Sequence, residues 1–194
     1  MAYVPKILAF AGSTRTGSFN KKVVKIAVAG ARAAGADVTL LDLRDLPMPL
    51  YDGDLEANEG IPANAQKFKA LMLAHQGLLI SAPEYNSGIT GVLKNAIDWA
   101  SRSAAGEAPL ACFVGKVAAL MSASPGGLGG LRSLMQVRSI LGNIHVLVLP
   151  DQVAVPRAHE AFSPDGTLKE PKQHAAVEQL GRHLADILMK LNGK

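Results

Sequence analysis

Five short apolar runs without polar alternation, separated by longer stretches of helical periodicity, constrain this chain more than any other feature. The runs occupy 6–11, 37–41, 77–82, 116–122 and 144–149. A strand with one wet face alternates apolar and polar residues, whereas a strand covered by helices on both faces does not. Between the runs, Ile89, Val92, Leu93, Ala96, Ile97 and Ala100 recur at the spacing of one helical face. Leu131, Leu134, Met135, Arg138 and Leu141 nearly repeat that spacing, and Val177, Leu180, Leu184, Ile187 and Leu191 mark a C-terminal helix. Strands that alternate with helices need crossover connections, so the pattern predicts right-handed βαβ units and one parallel sheet with helices on both faces.

Composition narrows the classes of function. The 194 residues, 48% of them hydrophobic, suffice for a single domain, 1–194, with a full core and no staples. One cysteine, Cys112, excludes an internal disulfide framework and a zinc site built on several thiolates. Aromatic residues at 5% do not furnish a stacking platform for nucleic acid, and the surplus of 20 basic over 16 acidic residues is spread along the chain rather than gathered into a polyanion groove. Apolar runs stay well short of a membrane helix, and the apolar N-terminus to Phe10 is expected to be a first strand rather than a secretory signal. A cytoplasmic protein is expected. Residues 46–62 and 156–171, rich in Pro, Gly and acidic side chains, read as surface loops.

In an open parallel sheet a ligand sits beyond the carboxyl ends of the strands, and three loops of unusual composition fall there. The first, Gly12-Ser13-Thr14-Arg15-Thr16-Gly17-Ser18-Phe19-Asn20, joins a strand to a helix start. Its small residues, hydroxyls and helix N-terminus suit an anion, and Arg15 can grip phosphate oxygens in a fork. Ser18 stands where a P-loop would place lysine, and G-x-G-x-x-G is missing, so a terminal monophosphate fits better than a triphosphate or a dinucleotide. The second loop is Pro83-Glu84-Tyr85-Asn86-Ser87-Gly88, whose Tyr85 and amides suit a flat heterocycle. The third, Ser122-Ala123-Ser124-Pro125-Gly126-Gly127-Leu128-Gly129-Gly130, packs four glycines into five positions, a composition expected where backbone must approach a ligand or a neighbour. Each loop also has a plainer reading: a capped helix start, an ordinary β–α connection and a flexible surface turn.

Together the three loops resemble those of the NAD(P)H-dependent FMN reductases, and Leu93-Lys94-Asn95-Ala96-Ile97-Asp98-Trp99 after the second loop resembles the bacterial chromate and quinone reductase branch. The chain departs from many relatives in carrying Thr90-Gly91 where they have Pro-Gly. The resemblance implies a flavodoxin-like three-layer sandwich with a five-stranded parallel sheet of order 2-1-3-4-5. It implies that Ser13, Arg15, Thr16, Gly17, Ser18, Phe19 and Asn20 hold the phosphate of FMN. By the same resemblance, Pro83, Glu84, Tyr85 and Asn86 line the ring, and Ser124 with Gly126 closes the site. It further implies NADPH or NADH as co-substrate, small-molecule acceptors such as quinones, chromate, azo compounds or free flavin, and a homodimer or homotetramer.

The hard chemistry of such an enzyme resides in its cofactor, which agrees with the lack of a nucleophile elbow, paired histidines at ligand spacing or clustered carboxylates in the sequence. Lys94 with Asp98, and Asp98 with Arg102, are spaced as surface ion pairs of one helix. Trp99 reads as packing or interface, Cys112 as a structural thiol, and Arg132 as a ligand for either an interface carboxylate or a nucleotide phosphate. The competing function is a flavodoxin-like electron carrier without nicotinamide-driven activity. Carriers of that kind are strongly acidic, and this chain is basic.

Overall fold

The structure, a computed structural model, describes residues 3–193; Met1, Ala2 and Lys194, at the ends of the expected domain, lie outside the described residues. Five strands pair in parallel: β1 (Lys6–Ala11), β2 (Asp37–Leu41), β3 (Gly77–Ser81), β6 (Val117–Ala123) and β7 (Leu147–Val155). A small antiparallel hairpin, β4 (Glu84–Tyr85) with β5 (Gly88–Ile89), stands apart from them. The sheet order is β2-β1-β3-β6-β7. Setting the hairpin aside, this is the expected 2-1-3-4-5. One face is covered by α1 (Phe19–Ala33) and α7 (Pro171–Asn192), the other by α3 (Ala63–Ala74), α4 (Gly91–Ser101) and α5 (Leu131–Asn143). Strands β3 and β6 are buried along their whole length, as their unbroken apolar runs require.

Several boundaries differ from the sequence expectation. The last strand is not 144–149: Ile144 caps α5, His145 takes a left-handed φ of 67°, and the strand runs through Pro150 to Val155. Proline is tolerated because β7 is an edge strand and its register against β6 is irregular between Ala118 and Leu120. Ile89 belongs to the hairpin, and α4 begins after it. On α5 the buried side is Ser133, Leu134, Val137 and Leu141, leaving Leu131 and Met135 exposed. On α7 the buried stripe ends at Leu188 rather than Leu191. The two expected surface loops contain short helices, α2 (Gly53–Glu59) and α6 (Ala158–Ala161).

Helices α1 and α7 cross at two glycines. A Cβ at Gly181 would fall inside the van der Waals shell of the Ala27 carbonyl, and one at Gly30 inside that of Glu178. The backbones themselves form the contact, so neither helix can retreat without opening the core over β1, β3 and β6. Replacing Gly181 with Ala is expected to destabilise the protein by at least about 2–3 kcal/mol, because backbone rather than a flexible side chain must move. Urea denaturation checks this; an unchanged midpoint would show that the helices can separate at no cost.

Candidate flavin site

The chain reverses direction across the sheet between β1 and β3, which leaves a crevice beyond their carboxyl ends. The loop after β1 forms one wall. Gly12 donates its N–H to Ser81 O (2.9 Å) and accepts from Thr90 Oγ1 (2.7 Å). A Cβ there would lie 2.8 Å from that of Leu93, so this glycine serves the close packing of α4 rather than a ligand. Ser18 is the N-cap of α1, yet its hydroxyl caps nothing and makes no hydrogen bond among the described residues, although the residue is only 5% exposed. An N-cap serine ordinarily satisfies the first amides of its helix. Here the hydroxyl and the N–H groups of Phe19 and Asn20 remain for an anion, Lys21 N–H being taken by Ser18 O (3.1 Å), and the first turn carries no acidic residue. Ser13 Oγ accepts from Arg15 N (3.3 Å), while the exposed Arg15 side chain bonds to nothing among the described residues.

The loop is braced from behind. Arg44, in the 3-10 turn Leu43–Asp45 after β2, donates from Nε and Nη2 to Thr14 O and from Nη2 to Thr16 Oγ1 (2.7 Å). Asp42 accepts from Lys21 Nζ at 2.6 Å and from Arg44 N at 3.0 Å. Burial alone would raise its pKa, but these two donors hold the carboxyl below the ordinary range.

Asn20 ties this wall to the rest of the site. Its Nδ2 donates to Ala123 O (2.7 Å), and its Oδ1 accepts from Ala123 N (3.0 Å) and Ser81 Oγ (2.8 Å). The ring wall is the hairpin β4–β5, whose turn residues Asn86 and Ser87 both have positive φ, 51° and 65°. Such two-residue turns favour Gly at the second position, so Ser87 carries strain. Helix α5 holds it there: Arg132 Nη1 donates to Ser87 Oγ (3.1 Å), and its N–H to Glu84 Oε2 (3.1 Å). Gln136 Nε2 donates to Ser87 O (3.0 Å), and Gln136 Oε1 accepts from Ile89 N (3.2 Å). Tyr85 is left 53% exposed on this fixed turn. In the third loop, Gly129 and Gly130, at φ of 62° and 92°, lie against Pro156 and Ser122, so internal packing accounts for both.

Side chains from all three loops line one cleft: Ser13, Arg15, Ser18, Phe19 and Asn20, then Pro83, Glu84 and Tyr85, then Ser124. Thr16, Gly17, Asn86 and Gly126 are not among its walls. Thr16 is engaged by Arg44, and the Gly126 N–H donates to Ser124 Oγ (3.3 Å). A larger cavity, about 550 Å³, lies among α2, α3 and residues 103–107. Its charged groups are satisfied internally, Lys69 by Glu107 (2.7 Å) and Glu56 by Arg102 (2.8 Å). Among the described residues no group of three or more His, Cys, Asp or Glu is placed to hold a metal ion, and no helix is long and apolar enough to cross a membrane.

Residues 5–160 match the model of the NADPH-dependent FMN reductase family. The chain belongs to that family. It is 35% identical over 190 residues to an NAD(P)H-dependent FMN reductase of Pseudomonas aeruginosa, covering 97% of each. It is also 35% identical over 144 residues to a quinone reductase of Escherichia coli K12, covering 74% of this chain and 73% of that one. A solved flavoenzyme NAD(P)H:(acceptor) oxidoreductase from Paracoccus denitrificans superposes with a TM-score of 0.79 at 26% identity, over 96% of this chain and 98% of that one. Membership makes this chain an oxidoreductase whose cofactor is FMN and whose reductant is a nicotinamide nucleotide.

Read as an FMN reductase, the chain has braces that its sequence did not announce. Arg44 and Gln136 act across 28 to 49 residues of sequence, and no local motif signals them. Thr90 was visible as a departure from Pro-Gly; its hydroxyl caps α4 by accepting from Leu93 N (3.2 Å). Arg132 binds the carboxylate of Glu84 within the same chain. Arg102 pairs with Glu56 rather than with Asp98, which keeps Lys94 (2.7 Å). Trp99 is fully buried and donates to Pro49 O (2.8 Å). Cys112 is buried, and burial pushes its thiol pKa up. Asn20→Ala leaves two buried backbone groups and a hydroxyl without partners and is expected to cost about 2–4 kcal/mol in urea denaturation. Ser81→Ala removes one of the three bonds and is expected to cost about 1 kcal/mol. Equal costs would remove Asn20 from its role as the tie.

Proposed function

We propose that this FMN reductase passes reducing equivalents from NADPH or NADH to quinones, with chromate, azo compounds and free flavin as further acceptors, and that donor and acceptor use one cleft in turn in ping-pong order. The observation that carries the reading is the union of three loops around a Ser18 hydroxyl and an Arg15 side chain that bond to nothing among the described residues. Ser13, Arg15, Ser18 and the first amides of α1 would hold the FMN phosphate. Pro83 and Tyr85 would meet the ring, and Ser124 would close its edge. When bound, FMN supplies hydride acceptance and donation at its N5, so the protein needs no acid or nucleophile of its own.

The side chains divide this work. Arg15 neutralises phosphate charge; Ser13 and Ser18 donate to its oxygens. Asn20, Glu84 and Phe19, though they reach the cleft, act by position: the Asn20 amide is committed to Ala123 and Ser81, Glu84 to Arg132, and the Phe19 ring stacks on Phe162 at 5.9 Å. Tyr85 stands half-exposed at the cleft, where a second planar molecule would approach a bound ring. We further propose a homodimer or homotetramer in the cytoplasm. The exposed apolar side chains Tyr85, Leu128, Leu131 and Met135, the last 64% exposed, gather on the hairpin, the third loop and α5 beside the cleft, and that surface suits a second copy.

Anaerobic addition of NADPH to the FMN-loaded protein is expected to bleach the flavin absorbance, and a quinone is expected to restore it. A flavin that neither NADPH nor NADH bleaches would indicate an electron carrier instead. Arg15→Ala is expected to weaken FMN binding by about 1–3 kcal/mol, roughly 5- to 150-fold, as measured by flavin fluorescence quenching. An unchanged dissociation constant would take Arg15 out of the phosphate site.

A further inference from the structure

Arg132 sits where one side chain meets both the strained hairpin and the cleft wall. Among the described residues that line the flavin cleft, Glu84 is the single carboxylate, and its side chain is only 13% exposed. Helix α5 starts on Gly130, which has no side chain to cap it, and its first turn carries no acidic residue. Glu84 reaches across from the hairpin and supplies what is missing: its Oε2 accepts from Arg132 N (3.1 Å). Its Oε1 meets Arg132 Nη1 at 3.4 Å, and the same Nη1 donates to Ser87 Oγ (3.1 Å). The guanidinium therefore braces the turn through Ser87 and balances the charge of Glu84. A brace needs only a donor, which a neutral side chain can provide; the positive charge matters only to the carboxylate and to whatever shares the cleft with it.

Hydride transfer is the event that would feel that charge. The nicotinamide ring gives up two electrons and one proton together and becomes cationic, and the flavin ring takes them and gains one negative charge. A bare carboxylate in the wall would oppose the gain, because a nearby like charge disfavours the charged form. We infer that Arg132 is a positioning residue that acts through Glu84: by neutralising this carboxylate it lets the cleft hold reduced FMN more tightly, relative to oxidised FMN, than Glu84 alone would allow. This rests on the reading that the cleft holds FMN with its ring against the hairpin. The guanidinium is 55% exposed, so water screens it and the effect is several-fold rather than orders of magnitude.

The test is anaerobic reduction of the FMN-loaded protein against a dye of known potential. The midpoint potential of bound FMN, set against that of free FMN, gives the ratio of the dissociation constants for reduced and oxidised flavin. Arg132→Gln is expected to raise that ratio about threefold or more, a shift to lower potential. Glu84→Gln is expected to lower it, and the double variant to return within about twofold of wild type, since neither charge is then left to act on the ring. Arg132→Lys keeps the charge without the fork, and Ser87→Ala cuts the brace and keeps both charges; each is expected to stay within about twofold. An unchanged ratio in Arg132→Gln, an equal shift in Ser87→Ala, a shift that Arg132→Lys fails to rescue, or shifts of one sign in Arg132→Gln and Glu84→Gln would each overturn the inference. Arg15→Ala separates this from the flavin reading. If Arg15→Ala weakens FMN binding and Arg132→Gln leaves the ratio unchanged, the reading stands and the inference falls; if Arg15→Ala binds FMN as tightly as wild type, both fall.

Discussion

The side-chain amide of Asn20 takes the place of a missing strand residue, and the geometry of the site depends on it. The β3–β6 ladder ends at Ser81 and Met121, so Ala123 projects past its neighbour with backbone groups that the sheet does not satisfy on that side. Asn20 supplies one acceptor and one donor to Ala123, as a paired strand would, and takes a third bond from Ser81. All three residues are buried, where an unmet backbone group is costly. The first turn of α1 is thereby fixed to the ends of both β3 and β6. The first amides of α1, the end of β3 that leads into the hairpin, and the third loop are held in one frame through a single side chain.

Around that tie, the charged groups fall into two sets. Arg44, Arg132 and Lys21 spend their donors on the protein itself: on the carbonyl and hydroxyl of the phosphate loop, on the strained hairpin and on Asp42. Arg15 and Lys25 spend theirs on nothing among the described residues. The first set supplies rigidity, and a side chain of the second set at the cleft, Arg15, is left free for the phosphate role proposed for it, so that little would need to reorganise when charge arrives. The strain at Ser87 belongs to the same economy of position. A glycine would relax the turn but would lose the bond from Arg132 that aims Tyr85.

How far the sequence discloses this depends on whether the relevant physics is local. The strand 6–11 and the three loops were legible, because unbroken apolar runs and crowded small residues reflect burial and close approach at the same positions. The stripe on α5 misled because Ser133 lies on the buried side, where its hydroxyl donates to Ala82 O, while Leu131 and Met135, at helical spacing, face outward. Periodicity counts a serine as polar whether or not its partner is in the core. Pro150 hid the length of β7, since only the edge position and the irregular register make it tolerable. The braces were invisible for a different reason: Arg44 and Gln136 meet their targets only after the chain has crossed the sheet.

The same distinction explains the phosphate loop. Were its only duty to face a flavin phosphate, the amides of α1 and a few hydroxyls would suffice, and the outer side could be left loose. Instead Arg44 locks Thr14 and Thr16 from that outer side, and Asp42 fixes both Lys21 and the Arg44 amide. A loop is stiffened on a side where its shape matters. That bracing holds Ser13, Arg15 and Ser18 in position before any anion arrives, so the loop is kept in shape from behind rather than by what it faces.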